Sequence, residues 1–180
     1  MDRRHSLRQV LAGYEPLDPD ERAHLDDLNS LLAATGDPFD RGRFDPGHVT
    51  ASGFVRSANG RRLLLVHHAG LDRWLQPGGH VDPADPTVWA ASAREVREET
   101  GLDVHTPDRP PVFDVDVHVI PASANGPQHR HFDVRFLWTA VDGEPHRSKE
   151  SLDVVWVRIE ELLLRLESAS GARVSRKLSR

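Results

Sequence analysis

The sequence predicts an α/β or α+β sandwich preceded by a helical N-terminal extension. Alternating or short apolar runs predict strands at residues 48–56, 61–68, 114–120, 129–138 and 153–159. Helical patterns lie at residues 86–100, between the strands, and from residue 160 onward. Strands interleaved with helices in this way are typical of layered domains that contain both elements.

Composition limits the class of protein. The 180 residues suffice for one well-cored domain and a terminal extension. The chain has no cysteine, which excludes disulfides and thiolate metal sites and favours a reducing compartment. It shows neither a signal-peptide core nor an apolar run of the ~18 to 20 residues that span a membrane, so we expect a soluble, cytoplasmic protein without a membrane partner. The net charge of -5 argues against nucleic acid as the main partner.

Residues 1–47 are expected to form the helical extension and its linker. Asp18 is a favourable N-cap, Pro19 suits the first helical position, and Gly36 closes the segment. Between them, leucines recur at helical spacing: Leu25, Leu28, Leu31 and Leu32. Such an apolar stripe is buried either on the core domain or on a second subunit, and we expect a homodimer contact.

The rest of the chain divides into a core domain, residues 48–168, and a tail, residues 169–180. The first two predicted strands of the core domain flank Asn59-Gly60, a strong signal for a β-hairpin. The tail is rich in basic residues, and we expect it to be a frayed terminus.

The helix predicted at residues 86–100 carries glutamates in its last turn and a half: Glu95, Glu98 and Glu99. Asp85 can cap this helix, and Gly101 can end it. The C-terminal end of a helix carries a partial negative charge, so each carboxylate there costs a few tenths of a kcal/mol. Like charges at i,i+3 and i,i+4 add a similar penalty. Such a compact violation of local rules often marks a functional site.

The residues alone leave two interpretations of the glutamates open. At about 100° per residue, the three side chains fall within one sector of the helix. Arg94 borders this sector and can reach Glu98 at i,i+4. One interpretation is a solvated face with Arg–Glu pairs, which is the usual meaning of a charge run. The other is a hard divalent cation, since Mg²⁺ is bound by carboxylate oxygens.

The segment before the helix favours the cation. Gly78-Gly79 follows an apolar strand end, where backbone can approach a phosphate or offer a carbonyl to a metal. Together with the stretch REVREETGL, it resembles the signature of the Nudix hydrolases. The second half of that signature is matched by Arg94, Glu95, Val96, Glu98, Glu99, Gly101 and Leu102. The first half departs from the pattern, because its early glutamate would fall on Pro86. The role of that glutamate is vacant or taken by Asp85.

The resemblance implies a Nudix-type α/β/α sandwich with a mixed β-sheet. It also implies hydrolysis of a nucleoside diphosphate linked to another moiety, a small-molecule substrate of the nucleotide type. Water would attack phosphorus with divalent metal bound, Mg²⁺ in the first place and Mn²⁺ as an alternative. A rival interpretation is a catalytically weak Nudix-fold module with a nucleotide-binding or regulatory role. The altered first half of the signature keeps this interpretation open.

The resemblance also assigns roles to individual residues. Arg94 would orient the glutamates, one of which would act as the base. The implied metal ligands are the carbonyl of Gly78 and the carboxylates of Glu95, Glu98 and Glu99. The family often adds an acid from a later loop, and Glu150 would supply it, with Asp153 as an alternative.

A second polar surface is predicted on a hairpin formed by residues 114–120 and 129–138. Polar side chains alternate with apolar ones on both strands, so they share one face. Closing the hairpin with the polar faces together would create three cross-strand pairs: His118 with His131, Asp116 with Asp133, and Asp114 with Arg135.

Two roles for this polar surface remain open. It is either a wet sheet face or the lining of the substrate cleft, with substrate-binding residues His118, His131, Asp116, Asp133 and Arg135. Asp116 and Asp133 would bring like charges together, so we expect a shared proton, a cation or His131 to relieve the repulsion. The irregular spacing of the histidines argues against a dedicated zinc site.

Overall fold

The computed structural model describes residues 2–124, 126–141, 143–149, 151–166 and 168–180. Its helices are α1 (Arg3–Leu11), α2 (Pro19–Ala33), α3 (Val88–Thr100) and α4 (Ala169–Leu178), with a 3₁₀ helix at Ile159–Leu164. Its strands are β1 (Gly47–Arg56), β2 (Arg62–His68), β3 (Arg73–Leu75), β4 (Gly78–His80), β5 (Asp114–Ile120), β6 (His129–Thr139) and β7 (Ser151–Arg158). Within the described ranges, no helix has the length and apolar character needed to cross a membrane.

One mixed sheet forms the centre of the molecule. Its strand order is β3-β2-β1-β6-β5, with β4 paired to β1 and β7 paired to β2. β1 and β6 run parallel, whereas the other strand pairs are antiparallel. The long crossover between β1 and β6 contains α3, which packs on both strands.

Alternate residues of β1 reach two different cores, because successive side chains of a strand point to opposite faces of the sheet. Val49 and Val55 pack with α1, α2 and α3 in the larger core. Phe54 packs with Leu162 of the 3₁₀ helix and Val174 of α4 in the smaller core. Helices therefore flank the sheet on both faces, and the predicted α/β/α sandwich with a mixed sheet is confirmed.

Helix α2 packs on its own chain. It begins as predicted, with Pro19 as its first residue and the carboxylate of Asp18 accepting the N–H of Glu21 at 3.0 Å. Its four leucines are 4% exposed or less and belong to the larger core. The expected homodimer contact through this stripe is therefore wrong, because the apolar face of the sheet beside β5 already buries it.

The tail is ordered as α4. Ser168 caps this helix by accepting the N–H of Gly171 at 3.0 Å. Arg173 is 2% exposed and donates to Asp114 at 2.8 Å and to Asp116 at 3.0 Å. The expectation of a frayed terminus is wrong, because basic residues of this segment neutralise carboxylates that are buried on the sheet.

Arg173→Gln is expected to lower the free energy of unfolding by about 3–5 kcal/mol, because it removes one of the cations that neutralise the buried carboxylates of Asp114 and Asp116. Arg176→Gln on the same helix is the matched control. The Arg176 side chain is 58% exposed and pairs with Asp18 at 2.5 Å, and exposed pairs contribute about 0.2–1 kcal/mol. Urea unfolding of both variants measures the difference. Equal losses would contradict a structural role for Arg173.

Candidate active site

Helix α3 carries the acidic cluster, which consists of Glu95, Glu98 and Glu99. Gly101 ends the helix in the left-handed region, at φ 70°, as predicted. Thr87 is the N-cap in place of Asp85, since its hydroxyl accepts the N–H of Ala90 at 3.1 Å. The helix therefore begins two residues later than predicted, and Asp85 turns towards Arg94 instead.

Arg94 is the centre of the hydrogen-bond network around the acidic cluster. Its Nε and Nη2 donate to the two oxygens of Asp85 at 3.1 and 2.9 Å, and Nη2 also donates to the carbonyl of His80 at 2.9 Å. Its Nη1 donates to Glu95 at 2.9 Å and to Glu98 at 2.8 Å. The bonds to Asp85 and the nearby carboxylates raise the pKa of Arg94 above its usual range. Asp85 therefore holds Arg94, and Arg94 holds two of the three glutamates.

The acidic cluster lies against the backbone of β4. A Cβ atom at Gly79 would lie 2.6 Å from Oε1 of Glu95, so a side chain at this position would displace the carboxylate from the strand. The N–H of Gly78 donates to Oε1 of Glu99 at 3.4 Å. Burial raises the pKa of Glu95, whose side chain is 14% exposed, whereas the side chain of Glu98 is 57% exposed. The double glycine of the sequence thus lets the acidic cluster meet the strand.

This donor set fits a divalent cation. Carboxylate oxygens beside an accessible backbone are the ligands that Mg²⁺ and similar hard cations prefer. The raised pKa of Glu95 reflects a half-buried anion, which a cation would stabilise. Glu150 lies outside the described residues. Asp153, the alternative to it, lies on β7 opposite His67, and its carboxylate accepts the N–H of Val154 at 2.8 Å.

The polar surface has the register that the sequence predicts. On β5 and β6, the paired residues are Asp114 with Arg135, Asp116 with Asp133, and His118 with His131. The parallel strand β1 extends this surface, with neighbours on β6 as follows: His48 beside His131, Thr50 beside Asp133, and Ser52 beside Arg135. Strand β4 adds His80, which lies opposite Thr50.

Arg135 joins the three carboxylates of the polar surface. It donates to Asp133 at 2.7 Å, to Asp116 at 3.0 Å and to Asp114 at 3.1 Å. Burial alone would raise the pKa of Asp116, but Arg135 and the neighbouring His118 lower it well below its usual value. Of the three expected ways to relieve the repulsion, a nearby cation is confirmed, since the guanidinium of Arg135 binds both Asp116 and Asp133.

Most of the predicted substrate-binding residues are inaccessible. Asp116, Asp133 and Arg135 are 7%, 2% and 4% exposed, and they bind one another. We assign these three to the stability of the sheet, because a buried and fully paired network leaves no group for a substrate. His118 and His131 lie further along the same face and are only partly buried.

His48, His80 and His131 form a histidine cluster that no sequence motif predicts. Ring nitrogens of the three side chains lie within 4.8 Å of one another. Burial, together with the neighbouring His48, lowers the pKa of His80 to about 4 and that of His131 to about 2. The sequence does indicate that His48 shares a strand face with Thr50 and Ser52, because the three polar residues alternate with small or apolar ones. Strand alternation does not reveal that β1 pairs with β6, so the cluster could not be assembled from it.

A family model of the NUDIX domain matches residues 46–178, which is most of the chain. This chain belongs to the Nudix family. The predicted resemblance is confirmed, and the chain is a Nudix-type pyrophosphohydrolase. The first 45 residues, with α1 and α2, lie outside the match.

Solved structures support the Nudix fold. A MutT NUDIX hydrolase from Burkholderia pseudomallei is 24% identical with a TM-score of 0.55, over 72% of this chain and 95% of that one. The MutT protein from Bacillus halodurans is 21% identical with a TM-score of 0.57, over 73% of this chain and 82% of that one. A NUDIX-family hydrolase from Clostridium perfringens is 23% identical with a TM-score of 0.53, over 73% of this chain and 96% of that one. No curated protein matches the chain. At these identities the likeness concerns the fold alone.

Asp133→Asn is expected to lower the free energy of unfolding by about 1.5–3 kcal/mol, the usual contribution of hydrogen bonds to a charged group. The buried carboxylate accepts from Ser52 at 2.8 Å and from Arg135 at 2.7 Å, and an amide lacks the negative charge that compensates the buried guanidinium. Asp72→Asn, at a side chain that is 85% exposed, is the control. Urea unfolding measures the change, and a stabilised Asp133 variant would refute this role.

The metal-free protein is expected to lose stability as the pH falls below neutrality. Unfolded histidine has a pKa of about 6.5, whereas folded His80 and His131 stay neutral down to pKa values of about 4 and about 2. Between pH ~6.5 and ~4 the unfolded state binds more protons than the folded state, so the free energy of unfolding decreases as the pH is lowered. Melting temperatures in chelator measure this slope. His131→Gln should flatten it and exposed His105→Gln should not; an unchanged slope in the first would contradict the assignment.

Proposed function

We propose that this Nudix enzyme hydrolyses a phosphoanhydride bond in a nucleoside diphosphate linked to another moiety, and that it requires a divalent metal ion, Mg²⁺ with Mn²⁺ as an alternative. One observation carries the proposal. The acidic cluster is held by Arg94 against the glycines of β4. Carboxylates at a helix C-terminus are unfavourable on their own, and a bound cation offsets that cost.

Four groups would hold the metal: the carbonyl of Gly78 and the carboxylates of Glu95, Glu98 and Glu99. When bound, a divalent metal would neutralise the diphosphate and lower the pKa of the attacking water. One glutamate of the cluster accepts the proton of that water as it attacks phosphorus. On sequence grounds, Glu150 remains the candidate for an additional acid from the loop before β7.

Arg94 is a positioning residue in this proposal. Its bonds to Asp85 and to the carbonyl of His80 fix one side of the guanidinium. The other side, Nη1, then holds Glu95 and Glu98 together. Because the two carboxylates are already gathered, little rearrangement is needed when metal and diphosphate arrive, which favours catalysis.

The diphosphate accounts for only part of the substrate. The nucleoside and the second moiety would be contacted by the accessible end of the polar surface, since β4 adjoins both that surface and the acidic cluster. His118, whose side chain is 41% exposed, is the residue that we propose to contact ribose or phosphate oxygens. Such a contact would require only a neutral or charged imidazole N–H as donor.

Glu98→Gln and Glu99→Gln are each expected to lower kcat by about 10²- to 10⁴-fold, because each change removes a metal ligand and a candidate base. The fold should persist, since Glu98 is exposed and its pair with Arg94 is a surface contact worth less than ~1 kcal/mol. Turnover is measured with Mg²⁺ on a panel of nucleoside diphosphates linked to sugars, nucleosides or phosphate, by release of a nucleoside monophosphate.

Glu160→Gln is the matched control. Glu160 is an exposed glutamate that also pairs with an arginine, Arg158, but it lies at the 3₁₀ helix away from the acidic cluster. Its variant should retain wild-type turnover and melting temperature. Near-normal turnover of both cluster variants, or hydrolysis that is unaffected by chelator, would overturn the proposed metal site. A wild type that hydrolyses no member of the panel would leave a nucleotide-binding module as the better interpretation.

A further inference from the structure

The histidine cluster brings together side chains from three strands. Ring centroids are 5.1 Å apart for His48 and His80, 4.8 Å for His48 and His131, and 5.4 Å for His80 and His131. One ring nitrogen of each lies within 4.8 Å of the others. A tetrahedral zinc ion with bonds of about 2.0–2.1 Å holds its ligand nitrogens roughly 3.4 Å apart. Each nitrogen therefore needs to move inward by less than about 1 Å to reach this geometry.

His48 is oriented as a metal ligand is. Its Nδ1 lies 3.1 Å from the carbonyl of Arg43, which can only accept, so Nδ1 carries the proton. The lone pair is then on Nε2, which is buried and has no hydrogen-bond partner, while the side chain as a whole is 1% exposed. Metal-binding histidines characteristically donate their second nitrogen to a carbonyl or carboxylate in this way. A buried acceptor without a partner is unfavourable, and a metal would remove that cost.

We propose that His48, His80 and His131 bind one first-row transition metal ion, Zn²⁺ by preference, at a site separate from the acidic cluster. The chemistry of the donors separates the two sites. Three neutral imidazole nitrogens suit zinc and related ions, whereas carboxylate oxygens suit Mg²⁺. Three histidine ligands also leave a fourth position for water or a substrate oxygen, as in open zinc sites.

The surroundings allow a ligand to enter. His80 and His131 are only partly buried, although His48 behind them is fully buried. His129 lies beside the cluster, with its Nε2 3.3 Å from Nε2 of His131. His80 also links the two sites, because its carbonyl accepts from Arg94 while its ring belongs to the histidine cluster. An oxygen bound at the open position would thus lie on the polar surface next to β4.

The test is zinc binding to the full-length, chelator-treated protein, measured by competition with a chromophoric chelator. The wild type should bind a single Zn²⁺, and Co²⁺ in its place should give the intense visible absorption of a tetrahedral site. His80→Gln and His131→Gln should each weaken binding by at least the roughly 10- to 100-fold that even loss of an outer-shell partner costs. These two positions are chosen because partly exposed side chains tolerate the change better than His48.

Two control variants make the result specific. His105→Gln, at an exposed histidine outside the cluster, should bind zinc like the wild type. Glu98→Gln should lose hydrolysis and keep the zinc, so failure of the proposed hydrolysis and failure of the zinc site are distinguishable. Melting temperatures in chelator establish that each variant is folded; if one is not, the other variant decides. A wild type without zinc, or glutamine variants that bind it with wild-type affinity, would overturn the proposal.

Discussion

Arg135 is the residue on which the rest of the structure depends. Its buried guanidinium binds Asp114, Asp116 and Asp133, and a buried charge of this kind is stable only while its partners are in place. Because the bonds cross from β6 to β5, they fix the register of the hairpin: a shift of one residue would turn the carboxylates to the opposite face of the sheet. Arg173 binds two of the same carboxylates from α4. The docking of the last helix and the pairing of the edge strand are therefore consequences of one charge network.

That register also determines where the two candidate metal sites lie. The parallel pairing of β1 with β6 places His48 beside His131, and the pairing of β4 with β1 adds His80 at the next position. The same short strand approaches the acidic cluster through Gly79. The backbone of β4 at Gly79 thus lies against a carboxylate of the acidic cluster, while the side chain of His80, its last residue, lies in the histidine cluster. Any change that moves β4 would alter both sites together, whereas the proposed ligands of each can be removed separately.

The sequence predicted those features that a local pattern decides. The capping of α2 by Asp18, the end of α3 at Gly101 and every polar pair of the β5–β6 hairpin depend on neighbouring residues or on strand alternation, and all are confirmed. The errors concern partners that are distant along the chain. The basic character of α4 is visible in the sequence, but the sequence does not show which carboxylates Arg173 binds. The homodimer contact of α2 is wrong for the same reason, since a leucine stripe does not reveal which surface covers it. The histidine cluster needs the order of three strands, which no local pattern contains.

The two charge networks differ in how completely they are neutralised, and this difference separates structure from function. In the buried network three cations bind four carboxylates: Arg135, Arg173 and Lys177 with Asp114, Asp116, Asp133 and Glu21. In the second network, which includes part of the acidic cluster, Arg94 is shared among Asp85, Glu95 and Glu98. The first network is close to neutral, so it stabilises the sheet without attracting a further ion. The second retains an excess of negative charge at the unfavourable end of a helix. A second arginine there would stabilise α3 but would compete with any cation for the same oxygens. The incomplete neutralisation that weakens the helix is thus the property that would let a metal ion bind at the proposed site.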